Sequence, residues 1–171
     1  VLANPVEVID VYDFDQEVNR VLGSAKLTLT PINGLSIDHT MGIDTYSQVA
    51  TAFIPNGTTA PGLSFGFGRR SEREFFQINN DLNIRYQDRL TPSLESTSLL
   101  GGTVQYEKSA TVGLQAEQFT LGSRVVTGGA DFDQPGEFRT ETVIYGIFGQ
   151  QTFGLNDRYF LTGAGRFDAS S

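Results

Sequence analysis

Polar and apolar residues alternate with period two over several stretches of the chain. Between Arg20 and Thr30, Val21, Gly23, Ala25, Leu27 and Leu29 take one side, and Arg20, Leu22, Ser24, Lys26, Thr28 and Thr30 the other, mostly polar. Pro31-Ile32-Asn33-Gly34 follows, and Asn-Gly suits the positive φ of a tight hairpin turn. Alternation resumes with Leu35, Ile37, His39, Met41 and Ile43 against Ser36, Asp38, Thr40, Gly42 and Asp44. A third run, Phe75 to Tyr86, sets Phe76, Ile78, Leu82, Ile84 and Tyr86, broken by Asn80, against Gln77, Asn79, Asp81, Asn83 and Arg85. Period two puts successive side chains on opposite faces, so each run predicts a strand with one apolar and one polar face.

Thr97 to Tyr106 reads as the strand returning after a short turn over Gln87 to Leu94. Thr140 to Phe153 and Arg158 to Ser171 read as two arms around a turn at Gly154 to Asp157. Each arm is about ten residues or slightly more, the length of a tilted strand crossing a bilayer. Phe153, Tyr159 and Phe160 flank the turn, where an interfacial aromatic girdle would place them. Between the hairpins lie two long connections, Gln48 to Arg73 and Glu107 to Arg139, rich in Gly and Pro. Within the second, Ala110 to Leu121 predicts a short helix or a strand extension. Val1 to Glu17 is mixed, with Asn4-Pro5 read as a breaker. Long structureless loops are unusual in a compact soluble domain. Short turns alternating with long loops are the rule in outer-membrane barrels. The fold class expected is therefore all-β: about six strands of an antiparallel up-and-down transmembrane barrel wall, with short periplasmic turns and long extracellular loops.

Composition fits without deciding. The 171 residues include 19 Gly, 13 Phe and 6 Tyr, favouring sheet and turn. A mean hydropathy of -0.18 does not separate a soluble sheet from a barrel, because alternation dilutes the signal. No run approaches the ~18 apolar residues of a membrane-spanning helix. A net charge of -8 argues against nucleic acid as a partner. The chain has no cysteine, hence no disulfide framework and no thiol chemistry.

The final hairpin carries a family resemblance. Tyr145-Gly-Ile-Phe-Gly-Gln150, Asp157-Arg-Tyr-Phe-Leu-Thr162 and Arg166-Phe-Asp-Ala-Ser-Ser171 together resemble the barrel segment of SusC-like (RagA-like) TonB-dependent outer-membrane receptors. There a Tyr- and Gly-bearing strand turns into an Asp-Arg-Tyr-Leu-Leu-Thr strand ending in an Arg-Asp-Gly-Ser-Ser type loop. This chain departs from that pattern at Phe167-Asp168-Ala169. Asn19-Arg20, Gly34-Leu35 and Ser98-Leu99-Leu100-Gly101 extend the likeness towards the N-terminus. The resemblance implies a wall of about 22 strands around a plugged lumen. It also implies TonB-energised import of oligosaccharides or peptides across the outer membrane of a Gram-negative bacterium. A SusD-like surface lipoprotein and TonB, reached through a segment outside these residues, are the implied partners. Outer-membrane lipid would surround the wall. On this expectation residues 1–171 are one partial barrel domain of a larger receptor, whose plug and remaining strands lie elsewhere. With no leader at Val1, an export signal is expected upstream.

Catalytic chemistry is not indicated, and no cofactor or metal is expected. Asp13-Phe14-Asp15-Gln16-Glu17 and Asp131-Phe132-Asp133-Gln134-Pro135-Gly136 miss the calcium-loop spacing. His39 is the single histidine, lies on the apolar side of its run and belongs to no triad pattern. Gly66-Phe67-Gly68-Arg69-Arg70-Ser71 reads as a flexible loop tip rather than a phosphate loop. The loops hold Phe53, Phe65, Phe67, Arg69, Arg70, Phe119, Arg124 and Phe132. Aromatic faces and guanidinium forks suit sugars, peptides or carboxylates. Phe65, Phe67, Arg69, Arg70 and Phe132 are the ligand-contact candidates, with packing of loop on loop as the plainer alternative. The alternative function is a soluble β-sandwich glycan-binding module, which needs each strand to bury one face against a second sheet.

Overall fold

A computed structural model describes residues 5–59, 62–133 and 135–171. After a short helix, α1 (Pro5–Val11), come β1 (Asp13–Ile32), β2 (Leu35–Ile54), β3 (Phe67–Thr91), β4 (Leu94–Phe119), β5 (Gly129–Phe132), β6 (Gly136–Leu155) and β7 (Tyr159–Ser170). All seven strands belong to one antiparallel up-and-down sheet in the order β1-β2-β3-β4-β6-β7, with β5 pairing with β4. The sheet is open, and β1 and β7 are its edges. Among the described residues there is no second sheet, which removes the structural basis of the sandwich alternative.

Turn chemistry explains the connections. Gly34 has φ 81°, the left-handed value that Asn-Gly turns accommodate. Asn156 and Asp157 have φ 53° and 54°, and the Arg158 N–H donates to the Leu155 carbonyl at 3.1 Å. Two successive positive φ values with that bond make a type I′ turn, whose twist matches the strands it joins. The turn lies at residues 156–158, so Gly154 and Leu155, expected in the turn, finish β6.

Strands extend further into the expected loops than alternation alone indicates. The long connections shrink to residues 55–66 and 120–135. Ala110 to Gln118 is the strand extension and not a helix. Gly66–Ser71 is no loop tip: β3 starts at Phe67. The reason is that a ladder is made by backbone groups, which pair whatever the side chains. Pro5 starts α1 instead of breaking the chain, since proline has no N–H to lose in a first helical turn. Asn4, Pro61 and Gln134 lie outside the described residues.

Two compact units divide the chain. The first comprises Val1–Arg20, Thr45–Phe75 and Ser109–Thr140; the second comprises Val21–Asp44, Phe76–Lys108 and Glu141–Ser171. Both long loops fall in the first unit and all three short turns in the second, as strict up-and-down connectivity requires. The turns are tied together: the Gln87 N–H donates to the Gly34 carbonyl at 2.8 Å, and the Asn156 N–H to the Ser93 carbonyl at 2.7 Å. Among the described residues the buried hydrophobic ones, Phe53, Ile54, Ala116 and Phe119, all belong to the first unit.

Candidate functional site

In the second unit the two sheet faces differ in kind. On the polar face Lys26 pairs with Asp38 at 3.4 Å, and Asp38 also accepts from Thr28. Gln87 donates to Glu95, Gln150 to Thr152 at 3.4 Å, and Thr152 meets Thr162 at 3.0 Å. Lys26, Asp38, Asn83, Arg85, Gln150 and Thr152 line a concavity of 540 Å³. The same face carries a stack. Phe148 lies over Gly101, the Arg166 guanidinium sits 5.7 Å from the Phe148 centroid, and Arg166 pairs with Asp168 at 2.7 Å. Leu22, 72% exposed, is an apolar intruder on this side.

The opposite face is apolar and uncovered. Val21, Leu100, Ile147 and Leu161 are each more than 60% exposed, although large aliphatic side chains are normally buried. Its polar members bond to one another. His39 Nε2 lies 3.3 Å from Asn80 Oδ1; Ser98 donates to Gln151, and Gln151 donates to Ser96 at 2.8 Å. Aromatic residues occur on it at two levels. Tyr86, Phe153 and Tyr159 lie towards the turns; Phe76, Tyr145 and Phe167 lie eight to ten residues along the same strands. At ~3.3 Å per residue and ~40° of tilt that separation projects to roughly 20–25 Å, near the height of an outer-membrane apolar band.

The first unit brings the sequence candidates to different places. Phe53 and Phe119, expected in loops, form its small core, edge-on at 5.1 Å. Gly68 is the floor beneath Phe119, since a Cβ there would lie 2.7 Å from its ring. Phe65 is 68% exposed, and its carbonyl accepts from the Phe119 N–H at 2.8 Å. Arg70 pairs with exposed Glu72 at 2.8 Å and lines a 350 Å³ cleft with Asp13, Phe53, Leu114 and Arg124. Phe132 pairs with Ala116 across β4 and β5 and is half exposed. Neighbours in a strand point to opposite faces. Arg70 and Gly68 share the Phe53 side, so Phe67 and Arg69 take the other. The five candidates therefore do not converge on one point.

A cluster absent from those candidates does converge. Tyr46 stacks on Phe75 at 4.9 Å and 19°. The guanidinium carbons of Arg73 and Arg20 lie 5.8 Å and 6.0 Å from the Tyr46 centroid. Alternation places Phe67 and Arg69 on this face of β3 with Arg73 and Phe75. The signal was present in Phe67–Phe76, read as a strand: Phe, Arg, Ser, Arg, Phe on one side and Gly, Arg, Glu, Glu, Phe on the other.

The fold has counterparts among transporters. A structure of the RagAB peptide transporter matches with a TM-score of 0.85 at 15% identity, covering 94% of this chain and 18% of that one. The RagAB peptide importer matches in its "open-open" state with a TM-score of 0.78 and in its "closed-closed" state with 0.77, both at 17% identity and the same coverage. The chain thus spans about a fifth of the length of the proteins it resembles in fold. No family model and no curated protein matches it. At such identities the likeness concerns the fold, and it bears on the sheet as a whole, since nearly the entire chain superposes.

Proposed function

We propose that this chain is a wall segment of a SusC-like TonB-dependent transporter in the outer membrane of a Gram-negative bacterium, importing peptides or oligosaccharides. One observation carries the reading. The second unit leaves a broad apolar face exposed while its other face is hydrogen-bonded and polar. In water, ~25 cal/mol for each Å² of exposed apolar surface makes that arrangement unfavourable. Against lipid it is the stable one, because alternating strands present hydrocarbon outward and polar groups to a wet lumen. The likeness of fold to peptide transporters supports a transport role, and the resemblance of the last hairpin supports the narrower family.

On this reading the segment does no chemistry. It forms part of a polar conduit, and the energy for import comes through TonB acting on a plug supplied elsewhere in the polypeptide. A SusD-like surface lipoprotein would capture substrate above the loops. Phe65 and Phe132, exposed in the first unit, are available for such contacts, as is Arg69. The test is membrane fractionation of the polypeptide as its source expresses it. Recovery in the outer-membrane fraction, resistant to alkaline carbonate and released by detergent, is the expected result. Recovery in the soluble fraction as a monodisperse species would refute the proposal.

A further inference from the structure

We infer that the Tyr46 face of the first unit is a binding surface for solutes carrying more than one carboxylate. The inference rests on the transport reading above and narrows its substrate class.

Charge is segregated within this unit, in a chain whose net charge is -8. Contacts fix the faces: Arg20 and Arg73 lie against Tyr46, whereas Asp13 and Arg70 share the cleft lined by Phe53. Strand alternation then assigns the remainder. The Tyr46 face of β1–β3 in this unit receives Arg20, Arg69 and Arg73 and no acid among the described residues. The other face receives Asp13, Asp15, Glu17, Glu72 and Glu74, with Arg70 paired to Glu72. On the same face of this unit the acids stand on β4 and β5, where Glu117 and Asp131 are register partners. The basic groups of the face are thus gathered on β1–β3 and its acids on β4 and β5.

Chemistry then selects the ligand. Planar guanidinium forks match carboxylates in a bidentate manner, and Arg held against aromatic rings is preorganised for it. Tyr46, itself stacked on Phe75, holds Arg73 in this way. Arg69 and Arg73 are four residues apart, about 13 Å along a strand, too far to share one carboxylate. The surface therefore suits a solute with several anionic groups in an extended chain, such as an acidic peptide.

The test compares binding of a Glu-Ser repeat peptide with that of its Gln-Ser counterpart, using the full-length polypeptide in detergent. Oligogalacturonate and a neutral galactose oligomer form a second pair that separates acidic sugar from acidic peptide as the source of the carboxylates. The acidic member of at least one pair should bind about tenfold more tightly, the low end for a hydrogen bond to a charged group. The double substitution Arg69→Gln, Arg73→Gln should abolish that preference. Arg70→Gln, on the other face, should keep it. Strand content by circular dichroism identifies a misfolded variant, and Arg73→Lys then serves as the milder substitution, with a reduced preference expected. Equal binding of acidic and neutral partners by the unmodified protein, or an unchanged preference in the folded double variant, would overturn the inference. Binding is read without transport, so the two proposals fail separately. A soluble chain that still prefers Glu peptides refutes only the membrane reading; a membrane-embedded chain with no preference refutes only this one.

Discussion

The ring of Phe148 on β6 covers Gly101 on β4 so closely that a methyl group at position 101 would overlap it. Glycine within a strand ordinarily weakens it, by roughly 0.5–1 kcal/mol relative to alanine. Here it creates the flat seat on which Phe148 rests with Arg166 stacked above it. Gly101→Ala should therefore destabilise, by about 1–3 kcal/mol as for overpacking elsewhere. Gly163→Ala, with open space around the new methyl, should be neutral or stabilise by about 0.5 kcal/mol. Denaturant unfolding in detergent reads both, and the opposite order would refute this packing account.

The first unit depends on very few buried residues. Phe119 is 2% exposed, sits edge-on to Phe53 and has Gly68 beneath it. Phe119→Ala should cost about 3–5 kcal/mol, the range for large aromatic truncations in a packed site. Hydrogen exchange should locate the loss at residues 109–119 and 67–75, leaving amides of the last hairpin protected. Uniform loss of protection would contradict the division into two units.

The turn at Asn156 and Asp157 gives a prediction of opposite sign. Both residues hold left-handed φ values, costing about 1–2 kcal/mol for an ordinary L-residue. Asp157→Gly should stabilise the hairpin and Asn156→Val should destabilise it by about that cost. Thermal unfolding of the two variants, read by circular dichroism, checks the pair.

Alternation was legible wherever one face is apolar. Val21 to Leu29, Leu35 to Ile43 and Phe76 to Tyr86 show it because only one side of the sheet is polar there. In the first unit both faces carry polar groups, so Asp13 to Arg20 and Gly68 to Glu74 have no hydropathic period, although their ladders form. The candidate residues Arg69 and Arg70 illustrate the consequence. Adjacent in sequence, they read as one loop tip; in β3 they serve opposite faces. Tyr46 gave no signal of its own, because its importance comes from Arg20, Arg73 and Phe75 on neighbouring strands. Phe53 and Phe119 were visible as loop aromatics, but their packing needs a contact across 66 residues of sequence.

A charge on the apolar face separates bilayer from water. Leu100→Arg should destabilise the embedded protein by about 2–4 kcal/mol, the cost of a lipid-facing Arg near the midplane. Thr97→Arg, on the polar face with the 540 Å³ concavity, should be close to neutral. Unfolding from lipid vesicles checks both, and an equal effect at the two positions would count against a lipid-facing side.

A spin-label scan of β7 distinguishes a lipid-facing side of the sheet from a wet one. These 171 residues hold no cysteine, so single cysteines from Tyr159 to Ser170 are labelled uniquely once any cysteine elsewhere in the polypeptide is replaced by serine. In vesicles, accessibility to oxygen, which partitions into lipid, is compared with accessibility to a water-soluble nickel complex. Accessibility is expected to alternate with period two along the strand. Labels at 161, 163, 165 and 167 favour oxygen, whereas labels at 162, 164 and 166 favour nickel. Uniform nickel accessibility, or a pattern without alternation, would contradict the claim that this sheet separates lipid from a polar lumen.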